Sequence, residues 1–141
     1  MNQEESSVVL MKEVVTNLEK HANNAMRELD MTVTQARVLA TLQSFSEKQV
    51  TLKHLEKKLQ LSQSVTAGII KRLEQRKYVE SLGDCEDKRI KIVRITPLGE
   101  QQCKSSQEIL EKLENKFLSC FTENEALIFN TLLKKIRDSI E

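Results

Sequence analysis

The 141 residues carry 22 Lys or Arg against 21 Asp or Glu, with 39% hydrophobic and only 4% aromatic residues, enough for one domain, or one domain plus helices that need a partner. No apolar run approaches the ~20 residues of a membrane span and the start Met1-Asn2-Gln3-Glu4-Glu5 is unlike a signal peptide, so a cytoplasmic location without membrane attachment is expected. Cys85, Cys103 and Cys120 form no CxxC and are distant in sequence from His21 and His54, which argues against a disulfide framework and against a metal site.

With three Gly and one Pro, the chain reads as mainly helical. From about Ser6 to Leu29, Met11, Val14, Val15, Leu18, Ala22, Ala25 and Met26 keep helical spacing, an amphipathic helix of roughly 35 Å. Thr32 and Gln35 have capping-box spacing and open a second helix with Ala36, Val38, Leu39 and Leu42, ending near Ser44. Thr51 then caps a short helix with Leu52, Leu55 and Leu59 on one face, and Ser62 caps another. That helix runs from about Gln63 to Arg76. Val65, Ile69 and Leu73, four apart, are its expected buried stripe, leaving Gln63, Ser64, Ala67 and Lys71 turned away.

Two β-prone runs follow, Tyr78 to Leu82 and Ile90 to Ile95, joined by a charged tip from Gly83 to Arg89. Thr96-Pro97 starts a long helix through Leu98, Ile109, Leu110, Leu113 and Phe117 toward Cys120, with Cys103 and Cys120 expected to pack as small apolar residues. Thr122 and Glu125 repeat the capping-box spacing before Ala126, Phe129, Leu132, Leu133, Ile136 and Ile140.

Two short helices and a basic hairpin make the outline of a winged helix-turn-helix, and the fold class is mainly α (α+β) with long N- and C-terminal dimerisation helices. The expected organisation is one domain over 1–141, with the DNA-binding part at 32–96 and the dimerisation helices at 1–31 and 97–141. Charge agrees: between Thr51 and Ile95 eleven Lys or Arg face six acids, leaving +5 there and −4 elsewhere. A concentrated basic region neutralises DNA phosphates and releases their counterions. The terminal stripes call for burial, either in a bundle within the chain or, as favoured here, against an identical chain. A symmetric dimer reads a palindrome with half-sites about one turn, ~34 Å, apart.

The order of elements resembles the MarR family of bacterial transcription regulators over nearly the whole chain. The segments that carry the resemblance are Thr34-Gln35-Ala36-Arg37-Val38-Leu39, Leu61-Ser62-Gln63-Ser64-Val65-Thr66, Lys71-Arg72-Leu73-Glu74, Asp87-Lys88-Arg89 and Ile95-Thr96-Pro97-Leu98-Gly99-Glu100. The resemblance implies a homodimeric winged-helix protein, usually a repressor, with one helix in the major groove of double-stranded DNA and a wing arginine in the minor groove. Arg89 takes the wing arginine's place and Asp87 would support it by a charge-assisted hydrogen bond. Gln63, Ser64 and Ala67 stand where such proteins address bases. Ser62, Thr66, Lys71 and Arg72 stand at phosphate or structural positions, and Lys88 and Lys91 add wing charge. Three residues depart from the family pattern. Gly68 interrupts the recognition helix, Lys77 replaces a helix-ending glycine and so calls for a left-handed backbone, and Glu56 replaces a small residue, with Arg72 as a candidate partner for it or for Glu74.

No constellation suggests catalysis, and no cofactor is implied: there is no Gly-rich phosphate loop, and no serine or cysteine with a visible base partner. Many relatives bind a small-molecule effector between the dimerisation helices and the DNA module; here the first, second and fifth helices would line that pocket. Cys85 sits near Lys88 and Arg89 but also beside three acids, so an unreactive thiol is expected. The reading is a sequence-specific, homodimeric transcription regulator binding a palindromic operator. The alternative is a winged-helix protein-interaction or ligand-sensing module without specific DNA binding.

Overall fold

Hydroxyl side chains mark where helices begin, because the first N–H groups of a helix lack an internal acceptor. In the computed structural model, which describes residues 5–83 and 90–141, α1 spans Ser7–Met26 and passes into a single 3₁₀ turn, Arg27–Leu29. At the start of α2 (Val33–Ser44), Thr32 Oγ1 accepts from the Gln35 N–H at 3.1 Å and Gln35 Oε1 accepts from the Thr32 N–H at 3.0 Å, the expected reciprocal cap. Thr51 and Ser62 accept the His54 and Val65 N–H groups, opening α3 (Leu52–Leu59) and α4 (Gln63–Gln75). Thr96 caps α5 (Pro97–Leu118) through the Gly99 N–H at 3.0 Å, and Thr122 with Glu125 forms a second reciprocal cap at α6 (Glu123–Ile140).

The sheet has three strands where the sequence reading expects a two-stranded hairpin. β1 (Gln49–Thr51) pairs antiparallel with β3 (Lys91–Ile95), which also pairs with β2 (Val79–Gly83), so β3 is central. Val93 faces Val50 on one side and Ser81 on the other and is fully buried. Three residues are too few to show a period-two pattern, which explains why β1 is not visible beforehand.

Inside, the expected core residues Ala36, Val38, Leu39 and Leu42 of α2 and Leu55 and Leu59 of α3 are buried, while Leu52, expected on the same face of α3, is half-buried at its first turn. The stripe of α4 differs from expectation. Its buried residues are Thr66, Ile70 and Leu73, while Val65 is 49% exposed and Ile69 half-buried. Thr66 escapes apolar pattern reading because its hydroxyl donates to the Ser62 carbonyl at 2.9 Å, which lets a polar residue sit in the core.

Two backbone features lock the wing base to α5. Lys77 adopts φ 64°, the left-handed conformation expected where a glycine is missing, and the next N–H, of Tyr78, bonds back to the Leu73 carbonyl at 2.9 Å. Thr96 donates its N–H to the Tyr78 carbonyl at 3.0 Å and its hydroxyl to the Lys77 carbonyl at 2.7 Å. Gly99 lies so close beneath that a β-carbon there would sit 2.0 Å from the Tyr78 carbonyl oxygen. Only glycine fits that contact.

The chain resolves into two compact units, residues 1–109 and 110–141, with the boundary inside α5. In the first, Gly99, Cys103 and Ser106 of α5 are buried. In the second, Phe121 packs on Phe129 with ring centroids 5.2 Å apart, and α6 has no buried residue. Cys120 departs from expectation: it lies beyond the end of α5, exposed, its thiol donating to the Phe117 carbonyl.

Candidate nucleic-acid interface

Ser62 to Arg72 presents a continuous outer face on α4. Ser62, Gln63, Ser64, Ala67, Lys71 and Arg72 are all exposed, and around Gly68 there is open space. Ser62 Oγ serves the cap and lies 3.4 Å from Ser64 Oγ. Thr66 does not belong to this face: with 0% exposure and its hydroxyl committed to the Ser62 carbonyl, it is a structural residue rather than a DNA contact. Val65 joins the outer face instead. A helix turns 100° per residue, so a stripe displaced by one position exchanges these two neighbours.

Lys91, exposed at the start of β3, borders a groove of about 510 Å³ together with Gln63 of α4 and Lys53 of α3. Glu56 and Ile90 also line it. The groove therefore joins the starts of two helices to the tip end of β3, bringing Gln63 and Lys91 together. Lys53 is the residue that motif reading passed over. Its only signal in the sequence is a cation two positions after a helix cap, inside the +5 segment.

Among the described residues Arg72 forms no ion pair with Glu56 or Glu74. Glu74 instead accepts the Ser81 hydroxyl, tying α4 to β2. Arg94 of β3 pairs across the sheet with Glu80, and Lys48 pairs with Glu100 at 2.6 Å, so these cations have structural partners. Asp87, Lys88, Arg89 and Cys85 lie outside the described residues.

Two further hollows lie in the first unit. One, of about 930 Å³, is bounded by Asn23, Arg27, Thr32 and Gln35 on the α1–α2 side and by Arg72 and Arg76 of α4. The other, of about 480 Å³, lies between α2 and α5, bordered by Gln43, Glu100, Cys103 and Lys104. The larger hollow thus uses α4 where the family resemblance leads one to expect α5. Burial pushes the Cys103 thiol above its ordinary pKa, and the nearby Glu100 carboxylate adds to that. Among the described residues no group of three His, Cys, Asp or Glu side chains is placed to hold a metal ion, and no helix is long and apolar enough to cross a membrane.

Capped helix pair, exposed second-helix face and three-stranded wing together define a winged helix-turn-helix protein. A family model described as the MarR family matches residues 29–90. The chain is 30% identical over 115 residues to the multiple antibiotic resistance protein MarR of Salmonella typhimurium, covering 81% of this chain and 78% of that protein. Among the curated relatives it matches, the aligned part spans from 47% to 78% of their own length. A mutant MarR from E. coli complexed with operator DNA superposes with a TM-score of 0.79 at 25% identity, covering 90% of each chain. The S. aureus MepR–DNA complex gives a TM-score of 0.86 at 21% identity over 97% of this chain and 100% of that one, a likeness of fold. The chain belongs to the MarR family, whose members are transcriptional regulators.

Proposed function

We propose that the protein is a homodimeric repressor that binds a palindromic operator in the cytoplasm, with α4 of each chain in successive major grooves. The observation that carries this reading is the exposed face of α4. Gln63 and Ser64 offer donors and acceptors to base edges, and Val65 and Ala67 offer methyl groups to thymine, beside lysines suited to phosphate. In this reading Ser62, Lys53, Lys71, Arg72 and Lys91 hold the backbone, while Lys88 and Arg89, supported by Asp87, extend into the minor groove. The operator complex of E. coli MarR supports the same docking by likeness.

Dimerisation is supported by apolar residues exposed on both terminal helices, including Val8 at 68%, Val14 at 50%, Leu132 at 51% and Ile140 at 79%. The hollow beside α4 suits small-molecule control, since an occupant would touch both the α1–α2 side and the DNA-reading helix.

The test is a fluorescence-anisotropy titration against an upstream fragment containing the operator and against scrambled DNA, at two salt concentrations. Expected are selective binding, a steep fall with salt, and at least a tenfold loss in Arg89→Ala. Equal, weak binding to both DNAs would overturn the reading and leave an interaction module.

A further inference from the structure

The three residues Leu29, Asp30 and Met31 form the elbow between α1 and α2, and their backbone is held by side chains from two other helices. The Asp30 backbone is left-handed at φ 52°, which closes the 3₁₀ turn and leaves the Leu29 and Asp30 carbonyls at its C-terminal end, where side chains reach them. Arg76, the residue that ends α4, donates to both: one guanidinium nitrogen to the Asp30 carbonyl, the other to the Leu29 carbonyl at 3.1 Å. The Leu29 carbonyl also accepts from Gln102 Nε2 of α5 at 3.2 Å. The Arg76 guanidinium lies over the Tyr78 ring, 4.9 Å from its centroid. The carboxylate of Asp30 is 97% exposed and 4.0 Å away, so backbone carbonyls supply the main attachment.

We infer that Arg76 is a positioning residue for DNA recognition: its two-point grip on the elbow sets the direction of α4 relative to α1, and through it the separation of the two DNA-reading helices in the dimer. This rests on the reading of α1 as a dimerisation helix and of α4 as the helix that enters the groove. A planar fork with two donors fixes an angle, whereas a single donor acts as a hinge. The Tyr78 ring beneath the guanidinium adds a cation–π attraction that restrains the fork. Arg76 is at the opposite end of α4 from Gln63 and Ser64; its backbone N–H donates to the Arg72 carbonyl, but its guanidinium bonds only to the elbow carbonyls and the Asp30 carboxylate and not to the proposed DNA contacts. Its removal therefore alters where the helix points and leaves what it reads unchanged.

The experiment uses the full-length protein and an operator recovered by selecting wild-type protein on a random double-stranded pool. DNAs with one base pair inserted or deleted between the half-sites, and a single half-site, complete the set. Wild type should prefer the native spacing by at least tenfold. Arg76→Ala should lose tenfold or more on that spacing and under threefold on the single half-site, so that the spacing preference flattens. Arg76→Lys, with charge but no fork, should fall between. If the Ala variant does not fold by circular dichroism, the Lys variant carries the comparison. Unchanged spacing preference in a folded variant overturns the inference, and so does equal loss on the half-site and the full operator, which is the mark of a merely weakened fold. A wild-type protein that is monomeric or does not discriminate the selected operator from scrambled DNA refutes the underlying reading instead, before any variant is made.

Discussion

Leu39, Leu55 and Leu73 of the helix-turn-helix are fully buried, whereas Leu132, Ile136 and Ile140 of α6 stay 51%, 43% and 79% exposed. Both sets lie on amphipathic helices that open with a threonine or serine cap, and in the sequence they look alike. The difference lies in what surrounds them. Within residues 32–96 each stripe meets another helix or the sheet, so apolar area leaves water inside one chain, at about 25 cal/mol per Å². Along α6 the stripe remains open to solvent in the single chain. Periodicity identifies a face that favours cover; it carries no information about which molecule supplies it.

Breaking the covered side of this contrast should have the largest effect. Leu73→Ala leaves a cavity at a fully buried site of α4 and should lower unfolding free energy by about 2–5 kcal/mol in urea denaturation. Breaking the open side should leave the module folded. Leu132→Glu with Ile136→Glu is expected to halve the mass seen in sedimentation with near-native circular dichroism, and to weaken operator binding roughly a hundredfold through lost bivalency. Gly99→Ala tests the tight contact on Tyr78: although alanine favours helix, the overlap should cost about 1–3 kcal/mol in thermal denaturation. Lys77→Gly relieves a left-handed backbone and should raise stability by up to about 1 kcal/mol in the same assay.

The smallest effect concerns the thiols. Cys120 should react quickly with a disulfide reagent in the native state and Cys103 only on unfolding. Because the folded-state pKa of Cys103 is raised, folding retains its proton where the unfolded chain would lose it. Its contribution is therefore complete below the unfolded thiol pKa and lost as pH rises through the folded one. Cys103→Ala should flatten the alkaline limb of a stability-against-pH curve; an unchanged limb would assign that loss to other groups.

Most of the architecture was legible because its signals are local. A capping box at Thr32 and Gln35, a hydroxyl before each short helix, and the β-branched run Ile90 to Ile95 each depend on residues within a few positions. β1 was not legible because its pairing partner Arg94 lies 45 positions from Gln49 and its own length is three residues. The exchange of Val65 for Thr66 escaped notice for a different reason. Side-chain polarity ranks threonine as outward-facing, and only the bond to the Ser62 carbonyl reverses that. At the candidate interface, Gln63, Ser64, Lys71 and Lys91 were identifiable from helix face and charge. Lys53 needed three-dimensional proximity to Gln63 and Lys91 to be noticed.

Among the described residues, five of the six α-helices begin at a hydroxyl that accepts an N–H three residues ahead: Thr32, Thr51, Ser62, Thr96 and Thr122. Such a boundary needs no distant contact, so each segment can find its starting point as soon as four residues of it have left the ribosome. A nascent chain would then present correctly punctuated rods before a second copy exists, and encounter with that copy would have only to choose faces.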